Sequence, residues 1–278
     1  MKIVKYLSLV LLVALAFACK KQEIEYKTTT IKGLAEFQLH YFVPVNAVAA
    51  NYINTVKIND SLYASVKAPL STYNAIPNGA VGKFYTVVPG TVNIKMYQGT
   101  AGDVLVYNQN VTLTLGKQNV FVHDFNLPPV VFDNGFPYVG NITDNTDSIC
   151  WVKFYNFLYE SAGVPTPLLL QYQCIDQRNA AALVNIGPPI AFGQSTGWQP
   201  VKIVKSVFNS AGSNRVDYRI KVIDANGNVV GDLQIKPAAV FVSYADFWTG
   251  FIGRRYHHVL SGMRTTTPSA AVRVFTAL

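Results

Sequence analysis

The sequence has few charged residues, and this scarcity limits the classes of protein to which it can belong. Only 14% of the 278 residues are Asp, Glu, Lys or Arg, against about 25% in an average soluble protein, and half are hydrophobic. The one dense basic group is Arg254-Arg255-Tyr256-His257-His258. A nucleic-acid-binding protein is expected to gather Lys and Arg along one face. We therefore predict a chain that folds around packed cores and does not bind nucleic acid.

The sequence also lacks the residue spacings that are typical of metal and cofactor sites. It has four histidines and three cysteines, and none of them fall at fixed short spacings. His257 and His258 are adjacent, and neighbours on a strand point to opposite faces, so both cannot reach one ion. The run Asp144-Asn145-Thr146-Asp147 lacks the glycine and the distal glutamate of a calcium loop. We predict no metal and no cofactor.

Long hydrophobic runs are missing as well, except for a short one at the start of the chain. A basic start with Lys2 and Lys5 is followed by about a dozen apolar residues, Leu7 to Ala18, broken only by Ser8. A membrane-spanning helix needs roughly 20 apolar residues. Residues 1–18 are therefore predicted to be a cleaved signal peptide. Their removal lowers the formal net charge from +8 to +6, because Lys2 and Lys5 leave with it.

The end of this run resembles the lipobox of bacterial lipoproteins. The residues are Leu15-Ala16-Phe17-Ala18-Cys19, with Phe17 at a position where the motif usually has a smaller residue. The resemblance implies that Cys19 is lipidated and becomes the first residue of the mature protein. Several acyl chains would hold the protein stably on a membrane. With Lys20 and Lys21, and no aspartate after the cysteine, the resemblance to known lipoprotein sorting rules implies the outer membrane. The alternative is an ordinary signal peptide with an incidental cysteine.

The rest of the chain alternates between apolar and polar residues, as half-buried strands do. Residues 19–33 are polar and rich in threonine, and are predicted to be a tether. Beyond them, "VNIKM" (92–96) and "VTLTL" (111–115) place every second residue on an apolar face, the latter with Val111, Leu113 and Leu115. Turn signals rich in Pro, Gly and Asn recur about every ten residues. No stretch of a dozen residues has a helical stripe, so we predict an all-β fold.

The sequence repeats itself loosely at an offset near 120 residues. "FQLHYF" near 37 matches "WVKFYNF" near 151, and "VNIKM" followed by "NVFVHDF" (119–125) matches "YRIKV" (218–222) followed by "AVFVSYADF" (239–247). The tail after Asp246 is predicted to have no counterpart in the first copy. We predict two domains, 34–130 and 149–278, joined by a linker at 131–148 where Pro, Gly, Asn and Asp accumulate.

These strands resemble those of a known family of modules. "TVKIND" (55–60), "FYTVVPGTVNIKMY" (84–97), "LTLGKQNVFV" (113–122) and "VKFYN" (152–156) are similar to successive strands of domain of unknown function 4397. The resemblance covers most of 35–125 and, more loosely, 149–250. It implies two tandem Ig-like β-sandwich domains of a secreted or surface bacterial protein, and it brings no catalytic residues.

Two cysteines in the second half leave two alternatives open. If 149–157 and 168–176 form an antiparallel hairpin across the loop 158–167, Cys150 and Cys174 lie opposite each other, because both are equally distant from residue 162. The expected oxidising compartment would then allow a disulfide. The alternative is a pair of buried free thiols.

The segment "ADFWTGFIGRRYHH" (245–258) is the strongest candidate for binding a ligand. It gathers aromatic residues, which stack on sugar rings, with arginines, which pair with carboxylates or phosphates. The candidate ligand patch consists of Trp248, Phe251, Arg254, Arg255, Tyr256 and His257. The patch would bind a glycan or another anionic surface polymer. The alternative is that its aromatic residues belong to the core.

A hydrolase motif is present but poorly supported. "GQSTG" (193–197) fits the nucleophile elbow around Ser195, with Asp217 or Asp246 and then His257 following in hydrolase order. The elbow requires a helix after the serine, and Pro200 stands where that helix would be. We therefore predict a protein that is not an enzyme.

The sequence thus favours a lipid-anchored protein of the outer membrane, on the cell surface or its periplasmic face. We expect a non-enzymatic role in binding or adhesion, with a glycan or an envelope protein as partner. A structural or assembly subunit, whose strand edges accept a partner strand, is the alternative.

Overall fold

The regular secondary structure of the described part of the chain is almost entirely β-strand. The structure is a computed structural model, and it describes residues 31, 33–78, 82–135, 147–177, 182–210 and 212–277. Its first-half strands are β1 (Ala35–Tyr41), β2 (Thr55–Ile58), β3 (Ser61–Ala64), β4 (Asn74–Ile76), β5 (Tyr85–Val87), β6 (Gly90–Gln98), β7 (Val104–Leu113), β8 (Gly116–Val122) and β9 (Val130–Asp133). Its second-half strands are β10 (Asp147–Ser161), β11 (Val164–Pro165), β12 (Leu169–Ile175), β13 (Leu183–Asn185), β14 (Ser195–Val204), β15 (Ser213–Ile223), β16 (Val229–Asp232), β17 (Gln234–Ile235), β18 (Val242–Ser243), β19 (Ala245–Phe251), β20 (Arg255–Met263) and β21 (Ala271–Ala277). Two 3-10 turns, Ala49–Asn51 and Lys205–Val207, complete the described elements.

The strands form pairs of sheets, and the predicted all-β sandwich fold is confirmed. In the first half, β4, β1, β8 and β9 form one sheet with β5 also on β1, and β3, β2, β6 and β7 form the other. In the second half, β11, β10, β20 and β21 form one sheet with β14 also on β10, and β13, β12, β15 and β16 form the other with β19 also on β15. Strands β17 and β18 form a small separate hairpin.

The predicted alternation holds where one face of a strand meets solvent. In β6, Val92, Ile94 and Met96 are buried, as expected from "VNIKM". In β7, Val111 and Leu113 are buried, but Leu115 is exposed, contrary to the expectation. The strand ends at Leu113, and the chain turns before Gly116, whose φ is +95°.

The two halves share a strand arrangement that corrects the predicted repeat. Strand β8 runs parallel to β1, and β20 runs parallel to β10, so β8 corresponds to β20. The predicted match of 119–125 with 239–247 is wrong here. Residues 239–247 begin in the loop of the β17–β18 hairpin, include β18 and end within β19. The tail after Asp246 also has a counterpart, because β20 and β21 repeat the pairing of β8 and β9.

Each half has its own core between its two sheets, and a third core lies between the halves. The first core is drawn from residues between Ala35 and Val122, and the second from residues between Cys150 and Val272. The third core joins side chains from both halves, namely Phe42, Tyr73, Phe121, Tyr155, Phe157, Val259 and Phe275. We call it the shared core. The described residues after Thr30 consequently form one compact unit.

Strands at the shared core are buried on both faces. All seven residues of β1 are buried, and eight of the nine residues of β20 are buried. On β1, Phe37, Leu39 and Tyr41 point into the first core. His40, and Phe42 directly after the strand, point toward the other half. This arrangement is typical of parallel strand pairs, which are usually covered on both sides.

The predicted chain organisation is only partly within the described residues. Cys19 and nearly all of the tether 19–33 lie outside them, and the signal peptide does so entirely. In the predicted linker, Val131–Asp133 belong to β9 and Asp147 and Ser148 to β10, and residues 136–146 are outside the described ranges.

Buried polar side chains beside the shared core are paired within each half. His40 Nε2 is 3.2 Å from Asn119 Oδ1, and Asn119 donates to Asn134 Oδ1 over 2.8 Å. The hydroxyl of Tyr155 lies 2.8 Å from Nδ1 of His257. Each of these contacts supplies a hydrogen-bond partner to a polar atom that burial has removed from water.

Burial of the histidines makes the fold sensitive to acid. Removal from water lowers the pKa of His40 and of His258 to about 3, and burial also lowers the pKa of His257, with positive charge on His40 and Lys153 adding to the effect. An unfolded histidine has a pKa near 6.5. As pH falls from 6.5 toward 3, the unfolded chain therefore binds protons that the folded chain does not.

We expect the free energy of unfolding to fall as the pH is lowered from 6.5 to about 5, above the range where carboxylates titrate. Each deeply buried histidine contributes a slope that approaches about 1.4 kcal/mol per pH unit. Urea unfolding of tag-free protein at several pH values measures it, and the His258→Phe variant is expected to have a shallower slope. Stability that stays constant over this range would contradict the prediction.

Candidate functional site

The predicted ligand patch is divided between the core and the surface. Trp248, Tyr256 and His257 are each at most 4% exposed, so they cannot contact a ligand, and this part of the prediction is wrong. Trp248 and Tyr256 belong to the core of the second half. His257 points the other way, with its ring centroid 5.0 Å from that of Trp198. The reason is that β19 alternates, which turns Trp248 inward, whereas β20 is buried on both faces.

What remains at the surface is a smaller group on the outer face of β19. Phe247 is 47% exposed, and the Arg215 guanidinium lies 3.8 Å from the centroid of its ring. Phe251 is partly buried and packs against the core of the second half, and the Arg254 guanidinium lies 4.0 Å from its ring centroid. We call Phe247, Phe251, Arg215 and Arg254 the β19 surface.

The register of β19 against β15 explains this grouping. Arg215 pairs with Thr249 and Asp217 pairs with Phe247, so the arginine and the phenylalanine are diagonal neighbours on one face. Arg215 also binds Asp217, with 2.8 Å between Nη2 and Oδ1. Arg254 follows Gly253 in the turn from β19 to β20, where Gly253 has a φ of +72°. Arg255, the other arginine of the prediction, begins β20 and is partly buried.

The two cysteines are separate buried thiols, which is the second of the two alternatives. The hairpin that would have paired them is not formed. Cys150 lies on β10 and Cys174 on β12, and these strands belong to opposite sheets of the second half. Burial raises the pKa of Cys150 to about 12 and raises that of Cys174 well above its ordinary value, with Cys150 adding to the latter shift.

The histidines and the serine motif also lie in structural positions. All four histidines are buried, and within the described ranges no group of His, Cys, Asp and Glu could hold a metal ion. Ser195 is the first residue of strand β14 and pairs with Tyr155, so a strand follows the serine where the nucleophile elbow has a helix.

The second half also has an apolar cleft of about 330 Å³ between its two sheets. Its lining includes Ile149 and Val201 on one sheet, and Cys174, Val184 and Ile186 from the other side. Within the described part of the chain, the flanking strands β13 and β14 each pair along one side only. Sequence reasoning missed this cleft, because no local sequence pattern reveals where two packed sheets leave a space between them.

Sequence reasoning also missed the shared core, although a signal for it was present. "FQLHYF", "WVKFYNF" and "RYHHVL" are mainly apolar or aromatic at successive positions, without regular alternation. Such runs are typical of strands buried on both faces. The histidines and the lysine within them obscure the pattern.

No protein-family model matches the chain, and no curated protein matches it significantly. Among the described residues, no helix is long and apolar enough to cross a membrane.

We expect both core thiols to resist alkylation in the folded protein, because thiolate is the reactive form and burial disfavours it. The Cys19→Ala protein contains only these two cysteines. Iodoacetamide at about pH 8 is expected to label neither thiol while the protein is folded, and both after unfolding without a reductant. Mass spectrometry counts the labels.

Unfolded protein that takes up label only after reduction would contradict free thiols. Rapid labelling of the folded protein would contradict their burial.

Proposed function

We propose that this protein is a lipid-anchored protein of the bacterial outer membrane that binds a glycan without catalysing a reaction. The β19 surface is the observation that supports this proposal. It carries the exposed Phe247 ring and two arginine–phenylalanine stacks whose phenylalanines both lie on β19.

The chemistry of the β19 surface suits a sugar polymer with scattered negative charge. An aromatic ring offers a flat apolar face to the carbon side of a sugar ring. The guanidinium of Arg254 interacts with the Tyr256 hydroxyl but has no carboxylate partner among the described residues, so its charge is available to an anionic substituent. Arg215 pairs with Asp217 and stacks on the Phe247 ring.

We expect Phe247→Ala and Arg254→Ala each to weaken glycan binding by about tenfold, since each removes one contact worth roughly 1–2 kcal/mol. Both residues are away from the core, so the free energy of unfolding is expected to change by less than about 0.5 kcal/mol. The measurement is binding of the purified variants to an array of bacterial surface polysaccharides.

The matched control is Trp248→Ala, one residue further along the strand. Its side chain is buried, so the substitution is expected to cost about 3–5 kcal/mol of stability. A glycan that binds equally well to wild type and to both surface variants would exclude the β19 surface as its site.

The anchoring part of the proposal rests on the resemblance of residues 15–19 to a lipobox. We expect the Cys19→Ala protein to leave the membrane fraction or to keep its signal peptide, because the variant cannot carry the lipid. Protease treatment of intact cells is expected to digest the natural protein if its body faces outward. Membrane retention of processed Cys19→Ala protein would contradict lipid anchoring.

A second candidate function is assembly with an envelope protein, and the apolar cleft between β13 and β14 favours it. A partner segment could add to one of these strand edges and place apolar side chains in the cleft. The same protease experiment separates the candidates. Digestion only in lysed cells would place the body in the periplasm and would favour assembly over adhesion.

A further inference from the structure

A polar groove lies at the boundary between the two halves of the protein, and it shares no residue with the β19 surface. Its volume is about 390 Å³. Tyr73 and Asn74 line it from the first half, where β4 forms a sheet edge. Arg273 and Phe275 line it from β21, which forms the edge of the facing sheet in the second half.

Arg273 is the positively charged group in this groove. It shares a face of β21 with Phe275, which belongs to the shared core, so its side chain points toward the first half. Its guanidinium carbon lies 4.9 Å from the centroid of the Tyr73 ring. Within the described part of the chain, no carboxylate forms an ion pair with Arg273.

Two polar atoms in the groove wall are buried without a hydrogen-bond partner among the described residues. They are Nε of Arg273 and the hydroxyl of Tyr73. Buried polar groups are nearly always paired, because leaving one unpaired costs free energy. Burial raises the pKa of Tyr73 to about 12, so at neutral pH its hydroxyl keeps its proton and can donate.

The backbone at Tyr73 is also unusual. Its φ is +56°, in the left-handed region that large side chains rarely adopt. A hydrogen bond of 2.9 Å from Tyr73 N to the carbonyl oxygen of Tyr41 holds it there. Backbone strain of this kind occurs preferentially where a side chain must be held in a functional position.

A guanidinium has five N–H donors in a planar fork that matches the two oxygens of a carboxylate. Among the described residues that line the groove, Arg273 is the only cationic one. The groove therefore suits a ligand group that carries a single negative charge. Asn74 adds a polar wall beside it, although its own amide is engaged with Ser71 and the backbone of Ala75. A hydroxyl-rich molecule would fit such a groove better than an apolar one.

From these observations we propose that the groove between β4 and β21 is a binding site for the carboxylate of an acidic sugar, with Arg273 and Tyr73 as its donors. This site is additional to the β19 surface. Its test therefore gives a result whether or not that surface binds a glycan.

The test is calorimetric titration of the full chain with galacturonate at concentrations up to about 10 mM, with galactose and acetate as matched ligands. Galactose has the ring without the carboxylate, and acetate has the carboxylate without the ring. Galacturonate is expected to bind at least about tenfold more tightly than either, because a charged hydrogen-bonded pair is lost with galactose and the ring contacts with acetate.

Variants then assign the binding to the groove. Arg273→Gln is expected to weaken galacturonate binding by at least about tenfold, and Arg273→Lys by less, because lysine keeps the charge but lacks the fork. Tyr73→Phe keeps the ring and is expected to weaken binding about threefold to tenfold. Lys236→Gln removes one positive charge elsewhere and is expected to leave binding unchanged.

Thermal unfolding of each variant checks that the fold persists, and the lysine and phenylalanine variants decide the matter if the glutamine variant does not fold. Galacturonate that does not bind, or that binds equally to wild type and Arg273→Lys and Tyr73→Phe, overturns the proposal. Acetate binding as tightly as galacturonate overturns the assignment to a sugar.

Discussion

Five aromatic rings pack together between two facing sheets and bury one another's apolar surface. They belong to Phe42, Phe121, Tyr155, Phe157 and Phe275. Phe121 contacts Tyr155 and Phe157 from across this layer, with ring centroids 5.0 and 5.1 Å apart. Each ring buries a large apolar area, so the layer stabilises both halves at once. The central strands of both facing sheets are therefore buried on both sides, which leaves fewer solvent-exposed positions for charged residues in this chain.

The sequence predicted best those strands that have one solvated face. Val92, Ile94 and Met96 could be assigned to a core, because polar residues separate them and only one strand register buries all three. Strands buried on both faces have no such alternation, so the repeat was aligned one strand too early, at 239–247 in place of β20. The choice between a disulfide and free thiols at Cys150 and Cys174 could not be made for a related reason, since a sequence offers no sign that nearby strands belong to different sheets.

The candidate sites show the same limit. The composition of 245–258 indicated aromatic and basic residues close together, and this is what the structure has, yet composition does not reveal which side of a strand faces solvent. Trp248 and Phe247 are neighbours in sequence and lie on opposite sides of one sheet. The groove at Arg273 was beyond sequence reasoning altogether, because Tyr73 and Arg273 are 200 positions apart and meet only through the packing of the two halves.

Strand β1 has a mechanical consequence that follows from its pairing. It is hydrogen-bonded to β4 and β5 on one side and, over all seven residues, to the parallel strand β8 on the other. A pull applied through the residues that precede β1 acts along the strand axis. The hydrogen bonds to β8 are then loaded in shear and must break together, whereas bonds at the end of a hairpin would open one after another. Tension applied to the N-terminal end of β1 would therefore be resisted by these hydrogen bonds at the same time.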